Sequence, residues 1–171
     1  MNQIKTTNSD KIEIAGFKTN ITDFNEVIEK IREISSGCVV QIINADGIAG
    51  RKHIMHATIH ALNAFQRNEN IAKDLGLEIC VRASAQRQIS RALDILGIKE
   101  GEMNICAVAV GCDKWVMFKL GEFLGERDDS VLEPDEKVLK KIYNLSDMKL
   151  ETIGSITRLL MEKTSLLILE K

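Results

Sequence analysis

"CVVQIINADGIAGRKHIMHATIHALNAFQ", residues 38–66, predicts a β-strand, a loop and a helix in direct succession. "CVVQII" is a compact apolar run, and the two glycines of "NADGIAG" follow it as a loop. Apolar residues then recur at helical spacing on one face. They are Ile54, Thr58, Ala61, Leu62 and Phe65. We therefore expect a helix from about Arg51 to Gln66 that packs this stripe against a sheet.

The rest of the chain predicts three more strands and five more helices. The strands are "KIEIAGF" (11–17), "LEICVRA" (77–83) and "MNICAVAVG" (103–111). The helices are "TDFNEVIEKIREISSG" (22–37, capped by Thr22), "AQRQISRALDILG" (85–97, capped by Ser84), "DKWVMFKLGEFLG" (113–125), "PDEKVLKKIYN" (134–144) and a last one from Asp147 to about Thr164, capped by Ser146. This order predicts an α/β or α+β sandwich: a small sheet of about four strands, packed helices and a helical C-terminal part. We expect residues 1–171 to form a single domain.

The composition predicts a soluble globular protein. Hydrophobic residues make up 44% of the chain and charged residues 28%, with a net charge of −2. No apolar run approaches the roughly 18 residues of a membrane span. The polar start "MNQIKTTNSDK" lacks the apolar stretch of a signal peptide, so we expect a cytoplasmic protein without a membrane partner. The four cysteines form no C-x-x-C pair, and we expect Cys38, Cys80, Cys106 and Cys112 to be reduced thiols.

The three histidines share one face of the predicted helix. His56 and His60 are four residues apart, a spacing that can hold a metal ion, and His53 lies three residues earlier. Position 57 is Ala, so "HATIH" lacks the glutamate of H-E-x-x-H. We expect no metal and no cofactor, with a metal-dependent enzyme that uses this face kept as an alternative.

The segment "RASAQRQISRAL", residues 82–93, is the best candidate for an anion site. Arg82 is expected at the end of a strand, and Ser84 at the start of a helix whose free N–H groups favour an anion. Arg87 and Arg91 lie opposite the apolar stripe of that helix and are expected to project outward. Such a set suits phosphate contacts, and a solvated helix face is the alternative. The chain lacks G-x-x-x-x-G-K-[ST], G-x-G-x-x-G and G-x-S-x-G motifs, so no motif nominates a catalytic activity.

Five ordered blocks resemble the small regulatory subunit of the KEOPS complex, the PRPK-binding or TPRKB-like family, and the archaeal members most. The blocks are "NADGIAGRKHIMHATIHALNAF" (44–65), "EICVRASAQRQISRALDILGI" (78–98), "VAVG" (108–111), "KKIYNLSD" (140–147) and "MEKTSLLILEK" (161–171). The resemblance implies a small α/β sandwich and a non-catalytic subunit. KEOPS forms threonylcarbamoyladenosine in tRNA. The implied partners are its kinase-like ATPase subunit directly, its catalytic subunit indirectly, and the tRNA 3′ CCA end.

The resemblance also suggests where these partners bind. The RNA role would fall on basic residues and their neighbours: Arg51, Lys52, Arg82, Ser84, Arg87 and Arg91. The ATPase-binding role would fall on apolar residues beyond the buried stripes: Met55, Ile59, Leu159, Leu160, Leu166 and Leu167. A free-standing RNA-binding module remains an alternative.

Overall fold

The computed structural model describes residues 11–169, apart from the side chain of Ile168. Its described residues form a three-stranded antiparallel sheet of order β1-β3-β2. The strands are β1 (Ile12–Ile21), β2 (Val39–Asn44) and β3 (Gly101–Val110). Strand β3 pairs with both neighbours, since Val110 lies opposite Ile12 on one side and Val39 on the other. The last strand in sequence therefore lies at the centre of the sheet.

Eight α-helices occur within the described range. They are α1 (Phe24–Ile34), α2 (Arg51–Arg67), α3 (Leu75–Ser84), α4 (Ile89–Leu96), α5 (Trp115–Leu124), α6 (Glu136–Ile142), α7 (Asp147–Ile153) and α8 (Ile156–Leu166). Short 3-10 turns occupy residues 45–47, 129–132 and 167–169. None of these helices has the length and apolarity to cross a bilayer. The expectations that concern residues 1–10 and the ends of the predicted single domain fall outside the described residues.

Helices cover both faces of the sheet. Ile43, Cys106 and Val108 point to one face, where they join a core with side chains of α2 and α3. Phe17 and Ile105 point to the other face and pack with side chains of α1 and α5. Because both faces are buried, β3 is an almost continuous apolar run rather than an alternating one. This arrangement confirms the predicted sandwich of helices on a small sheet.

The predicted strand "LEICVRA" is helical and forms most of α3. Every residue from Leu75 to Ser84 is buried except Leu77, which is half-buried. A helix enclosed on nearly all sides has no polar face, so its sequence shows no helical period and reads like a buried strand. Asp74 begins the helix, because its carboxylate accepts the N–H of Leu77 at 2.9 Å. The sheet therefore lacks this strand.

Helix ends differ from the prediction at three places. Asp23 caps α1 in place of Thr22, accepting the N–H groups of Asn25 and Glu26. Ser84 ends α3 instead of capping the next helix, and α4 begins only at Ile89. Ser146 caps α7 as expected, but α7 ends at Gly154 and Ser155 caps a separate α8. The predicted last helix is thus two helices.

The expectation of four reduced cysteines is wrong for two of them. Cys38 and Cys112 form a disulfide across 74 residues of sequence. Cys80 and Cys106 are free and buried, and burial raises the pKa of each thiol to about 12. These two are therefore protonated, unreactive core residues.

Candidate functional site

Helix α8 is held against α2 and α3 by side-chain hydrogen bonds. The Thr157 hydroxyl donates to the Ala49 carbonyl at 2.9 Å, just before α2 begins. Further along, Ser165 Oγ lies 2.9 Å from His56 Nε2. The two helices therefore run in the same direction. The Thr164 hydroxyl donates to the Arg82 carbonyl at 2.7 Å, which ties α8 to the end of α3 as well.

His53 is a structural residue between α2 and α3. Its Nδ1 accepts the Ala49 N–H at 2.9 Å, so its Nε2 carries the proton and donates to the Ala83 carbonyl at 2.9 Å. Burial lowers the pKa of this imidazole to about 4. Both nitrogens are occupied, so His53 cannot bind a metal ion in this fold.

His56 and His60 lie beside α8. Their ring centroids are 4.4 Å apart, and His56 Nε2 also lies 3.1 Å from the Met161 carbonyl oxygen. Burial lowers the pKa of His60, and the charge of His56 adds to the effect. The described range contains no group of three or more His, Cys, Asp or Glu placed to hold a metal ion. His53 and His56 of this face contact α3 and α8, respectively.

Half of the predicted partner-binding set is buried, which corrects the prediction for Leu159, Leu160 and Leu167. Leu159 and Leu160 belong to a small core with Leu139 of α6. Leu167 packs in another cluster with Val81 of α3. The break at Gly154 rotates α8 away from the register of a single continuous helix. Adjacent leucines 159 and 160 are both buried in the core.

Two of the other predicted partner residues, Ile59 and Leu166, are exposed, and we group them with the exposed Leu169 under the name apolar strip. Their side chains are 41%, 49% and 73% exposed. His56 on α2 contacts Ser165 on α8. Ile59 lies about one turn after His56, and Leu166 directly follows Ser165. Ile59 and Leu166 therefore lie at a similar height along the two helices. Met55 is half-buried against the core below the strip. Leu169 was not among the predicted residues; the apolar run 166–169 was its only signal in the sequence.

Arg82 and Ser84 do not face solvent, which corrects both expectations. Arg82 is buried in α3, where its Nη2 lies 2.7 Å from Glu78 Oε1 and 3.4 Å from the Glu69 carbonyl oxygen. Ser84 is buried too, and its hydroxyl donates to the Val81 carbonyl at 3.2 Å. Both errors follow from the incorrect strand assignment. On a helix, residues four apart lie on neighbouring turns, so Glu78 and Arg82 can form an ion pair that a strand would not allow.

Glu78 is a residue that the sequence analysis missed. Its Oε2 accepts the N–H groups of Ile71 and Ala72 at 2.9 and 2.7 Å, while its Oε1 accepts from Arg82. The carboxylate therefore shapes the loop between α2 and α3. Arg82 supports that loop from inside the protein.

The remaining predicted RNA residues lie at one end of the helical layer. The 2.9 Å contact between His53 and Ala83 sets the start of α2 beside the end of α3. Lys52 is exposed at the start of α2, and Arg87 is exposed in the segment that follows α3. Arg51 is half-exposed there but donates to the Ile14 carbonyl at 2.8 Å and to Asp129 at 3.0 Å. We call Arg51, Lys52 and Arg87 the basic end; Arg91 is exposed one turn further along, on α4.

Comparison with known proteins gives consistent matches over most of the chain. The sequence model of the family described as kinase binding protein CGI-121 matches residues 18–167. A regulatory protein Cgi121 of Methanocaldococcus jannaschii is 37% identical over 139 residues, which are 79% of this chain and 87% of that protein. A KEOPS complex subunit Cgi121 of Pyrococcus abyssi is 30% identical over 90 residues, 53% of each chain.

Proposed function

The chain belongs to the kinase-binding CGI-121 family, and we propose that it is the non-catalytic accessory subunit of a KEOPS complex. In this proposal it binds the kinase-like ATPase subunit directly and reaches the catalytic subunit only through the complex. It also contacts the 3′ CCA end of tRNA. The name of the Pyrococcus abyssi relative supports the membership in KEOPS, and the family description supports the kinase partner.

The observation that carries the proposal is the apolar strip. Ile59, Leu166 and Leu169 expose apolar side chains on neighbouring elements, beside a docked helix. Exposed apolar residues on adjoining elements are the kind of surface that a protein partner covers. A partner that covers them would gain the most from the residues near the centre of the contact.

Co-purification with the kinase-like subunit tests this surface. Ile59→Glu and Leu166→Glu place a charge where the partner would exclude water, so we expect each to abolish co-purification. Met148→Glu is the matched control, because Met148 is 78% exposed on α7, outside the strip, and should leave binding unchanged. Circular dichroism checks that each variant is folded. Folded strip variants that still bind would refute the proposed interface.

The proposed tRNA contact is assigned to the basic end. Phosphate contacts by Lys52 and Arg87 would release counterions, so binding should weaken steeply with added salt. We expect the variant with both Lys52→Glu and Arg87→Glu to lose affinity about tenfold or more, and removal of the CCA end to cause a comparable loss. Lys137→Glu, an exposed lysine on α6, is the control. Equal binding by all forms at moderate salt would contradict the assignment.

The free-standing RNA-binding module makes a different prediction for the same protein. It would bind tRNA through the basic end but would purify from native cells without a kinase-like subunit. The strip variants would then be indistinguishable from the unmodified chain in every assay except solubility. Co-purification of the native protein therefore separates the two functions.

A further inference from the structure

The disulfide between Cys38 and Cys112 closes the end of an edge strand. Among the described strands, β2 pairs only with β3, and the last paired residues at this end are Val39 and Val110. Cys38 precedes that pair, while Cys112 follows it by two residues. The two Cα atoms are 5.1 Å apart. The bond therefore joins the point where an edge strand would fray first to the segment that leads into α5.

Two glycines bring the cysteines together. Gly37 has a φ of +84° and Gly111 a φ of +68°, and no atom lies within 4 Å of where a Cβ would stand on either. The space is open, so only the left-handed backbone explains glycine at these positions. Each glycine directly precedes its cysteine. The chain thus turns on both sides of the disulfide in a conformation that favours glycine.

Two carbonyl oxygens lie within reach of a reduced Cys112 thiol. Cys112 Sγ lies 3.4 Å from the Val39 carbonyl oxygen and 3.7 Å from that of Val110. A thiol at this position can donate an S–H···O hydrogen bond to either carbonyl without any movement of the backbone. Both sulfur atoms belong to half-buried residues that pack against the core of α1 and α5.

A small thiol or disulfide can reach Cys38 from solvent. Cys38 lines a groove of about 750 Å³ between α1 and the α3–α4 layer, along the outer edge of β2. Cys80 and Cys106 are fully buried, and burial raises the pKa of both thiols, so they take no part in exchange. Of the four cysteines, the disulfide pair alone combines proximity with access.

We infer that Cys38 and Cys112 form a reversible thiol–disulfide pair that exchanges with small-molecule disulfides and controls the stability of the β2 edge. In the oxidising direction, the Cys38 thiolate attacks one sulfur of the small disulfide and releases the first small thiolate. The Cys112 thiolate then attacks Cys38 Sγ and releases the second. One S–S bond is broken and one is formed. The protein loses two electrons and two protons, and the small disulfide becomes two thiols.

Thiol titration and thermal unfolding test the pair in the full-length protein. After treatment with glutathione disulfide, we expect two titratable thiols in denaturant and a peptide map that links Cys38 to Cys112. After dithiothreitol, we expect four thiols, an unchanged circular dichroism spectrum at 25 °C and a Tm lower by on the order of 10 °C. Four thiols in the oxidised sample, a disulfide between other cysteines, or a Tm that does not change with the reductant would overturn the inference.

Matched variants separate the disulfide from general cysteine effects. The variant with both Cys38→Ser and Cys112→Ser should have a Tm that is independent of reductant. Cys80→Ala should keep the reductant-dependent shift. With glutathione disulfide, Cys112→Ser should form the mixed disulfide faster than Cys38→Ser, because its remaining thiol lines the groove. Faster reaction of Cys112 would show that the attacking residue is assigned wrongly.

Discussion

Arg82 and Glu78 form a buried ion pair within one turn of α3, with Arg82 Nη2 2.7 Å from Glu78 Oε1 and side chains only 3% and 0% exposed. The carboxylate also holds the loop before α3 through two backbone N–H groups. The Arg82 carbonyl in turn accepts the hydroxyl of Thr164 from α8. One pair of residues therefore connects the α2–α3 loop with the helix that carries part of the apolar strip.

Replacing Arg82 alone should be severely destabilising. Arg82→Met leaves the Glu78 carboxylate buried without its cation, which costs about 3–5 kcal/mol of unfolding free energy. Chemical denaturation measures the loss. Arg91→Met is the matched control, because Arg91 is exposed on α4 and its loss should change stability by less than about 0.5 kcal/mol.

This result would change how RNA-binding mutants are interpreted. A loss of tRNA binding by Arg82→Glu would report an unfolded α3 rather than a lost phosphate contact. If Arg82→Met were as stable as the unmodified chain, the buried pair would contribute nothing to the fold.

The buried His53 should make stability depend on pH. Its pKa is lowered from 6.5 to about 4 in the folded protein, so the unfolded chain binds more protons between these two values. The stabilisation is fully present above about pH 6.5 and is lost as the pH falls towards 4. This one group can account for up to about 3 kcal/mol across that window.

Denaturation at a series of pH values measures this dependence. His53→Gln should flatten the curve between pH 6.5 and 4, whatever its effect on absolute stability. His60→Gln should flatten it less, because the pKa of the half-buried His60 is lowered without the full burial of His53. A His53→Gln curve parallel to that of the unmodified chain would show that His53 is not the titrating group.

Ala85 should be improved by glycine. It is the C-cap that directly follows α3, with a φ of +54°, in the left-handed region that a Cβ disfavours. We expect Ala85→Gly to stabilise the protein by about 0.5–1 kcal/mol. Ala61→Gly, in the middle of α2, should instead destabilise by about 1 kcal/mol or more. A loss of stability at both positions would mean that the conformation of Ala85 carries no strain.

The sequence predicted those elements that carry a local signal in their residue pattern. Strands β1, β2 and β3 and the amphipathic α1 and α2 were found, because one face of each helix is polar or because glycines bound the strand. Helix α3 was missed, since burial on nearly every side removes the periodic signal. Arg82 was expected at the surface because it would have ended the predicted strand 77–83, which is helical.

The residues expected on the partner-binding surface were likewise predicted only in part. Ile59 and Leu166 were expected to be exposed and are exposed. Leu159, Leu160 and Leu167 were expected beside them but are buried. They pack against α3 and α6, which are distant in sequence. A local pattern shows that a helix has more apolar residues than one buried face needs. It does not show which of them tertiary contacts will bury.

Thr164 should fix the docking of α8. Its hydroxyl donates to the Arg82 carbonyl at 2.7 Å and is fully buried. That carbonyl also accepts the Ala85 N–H at 3.2 Å, so Thr164→Val removes one of its two donors in nearly the same volume. We expect a loss of about 0.5–1.5 kcal/mol of stability, the net contribution of one hydrogen bond. Hydrogen exchange should show faster exchange in α8, while the sheet keeps its protection.

Thr152→Val is the matched control, because the exposed Thr152 hydroxyl bonds to Met148 within its own helix. If α8 exchanged at the same rate in both variants, the bond to Arg82 would not hold the helix. If α8 loosened, co-purification with the kinase-like subunit should weaken as well, because Leu166 of the apolar strip would lose its fixed position.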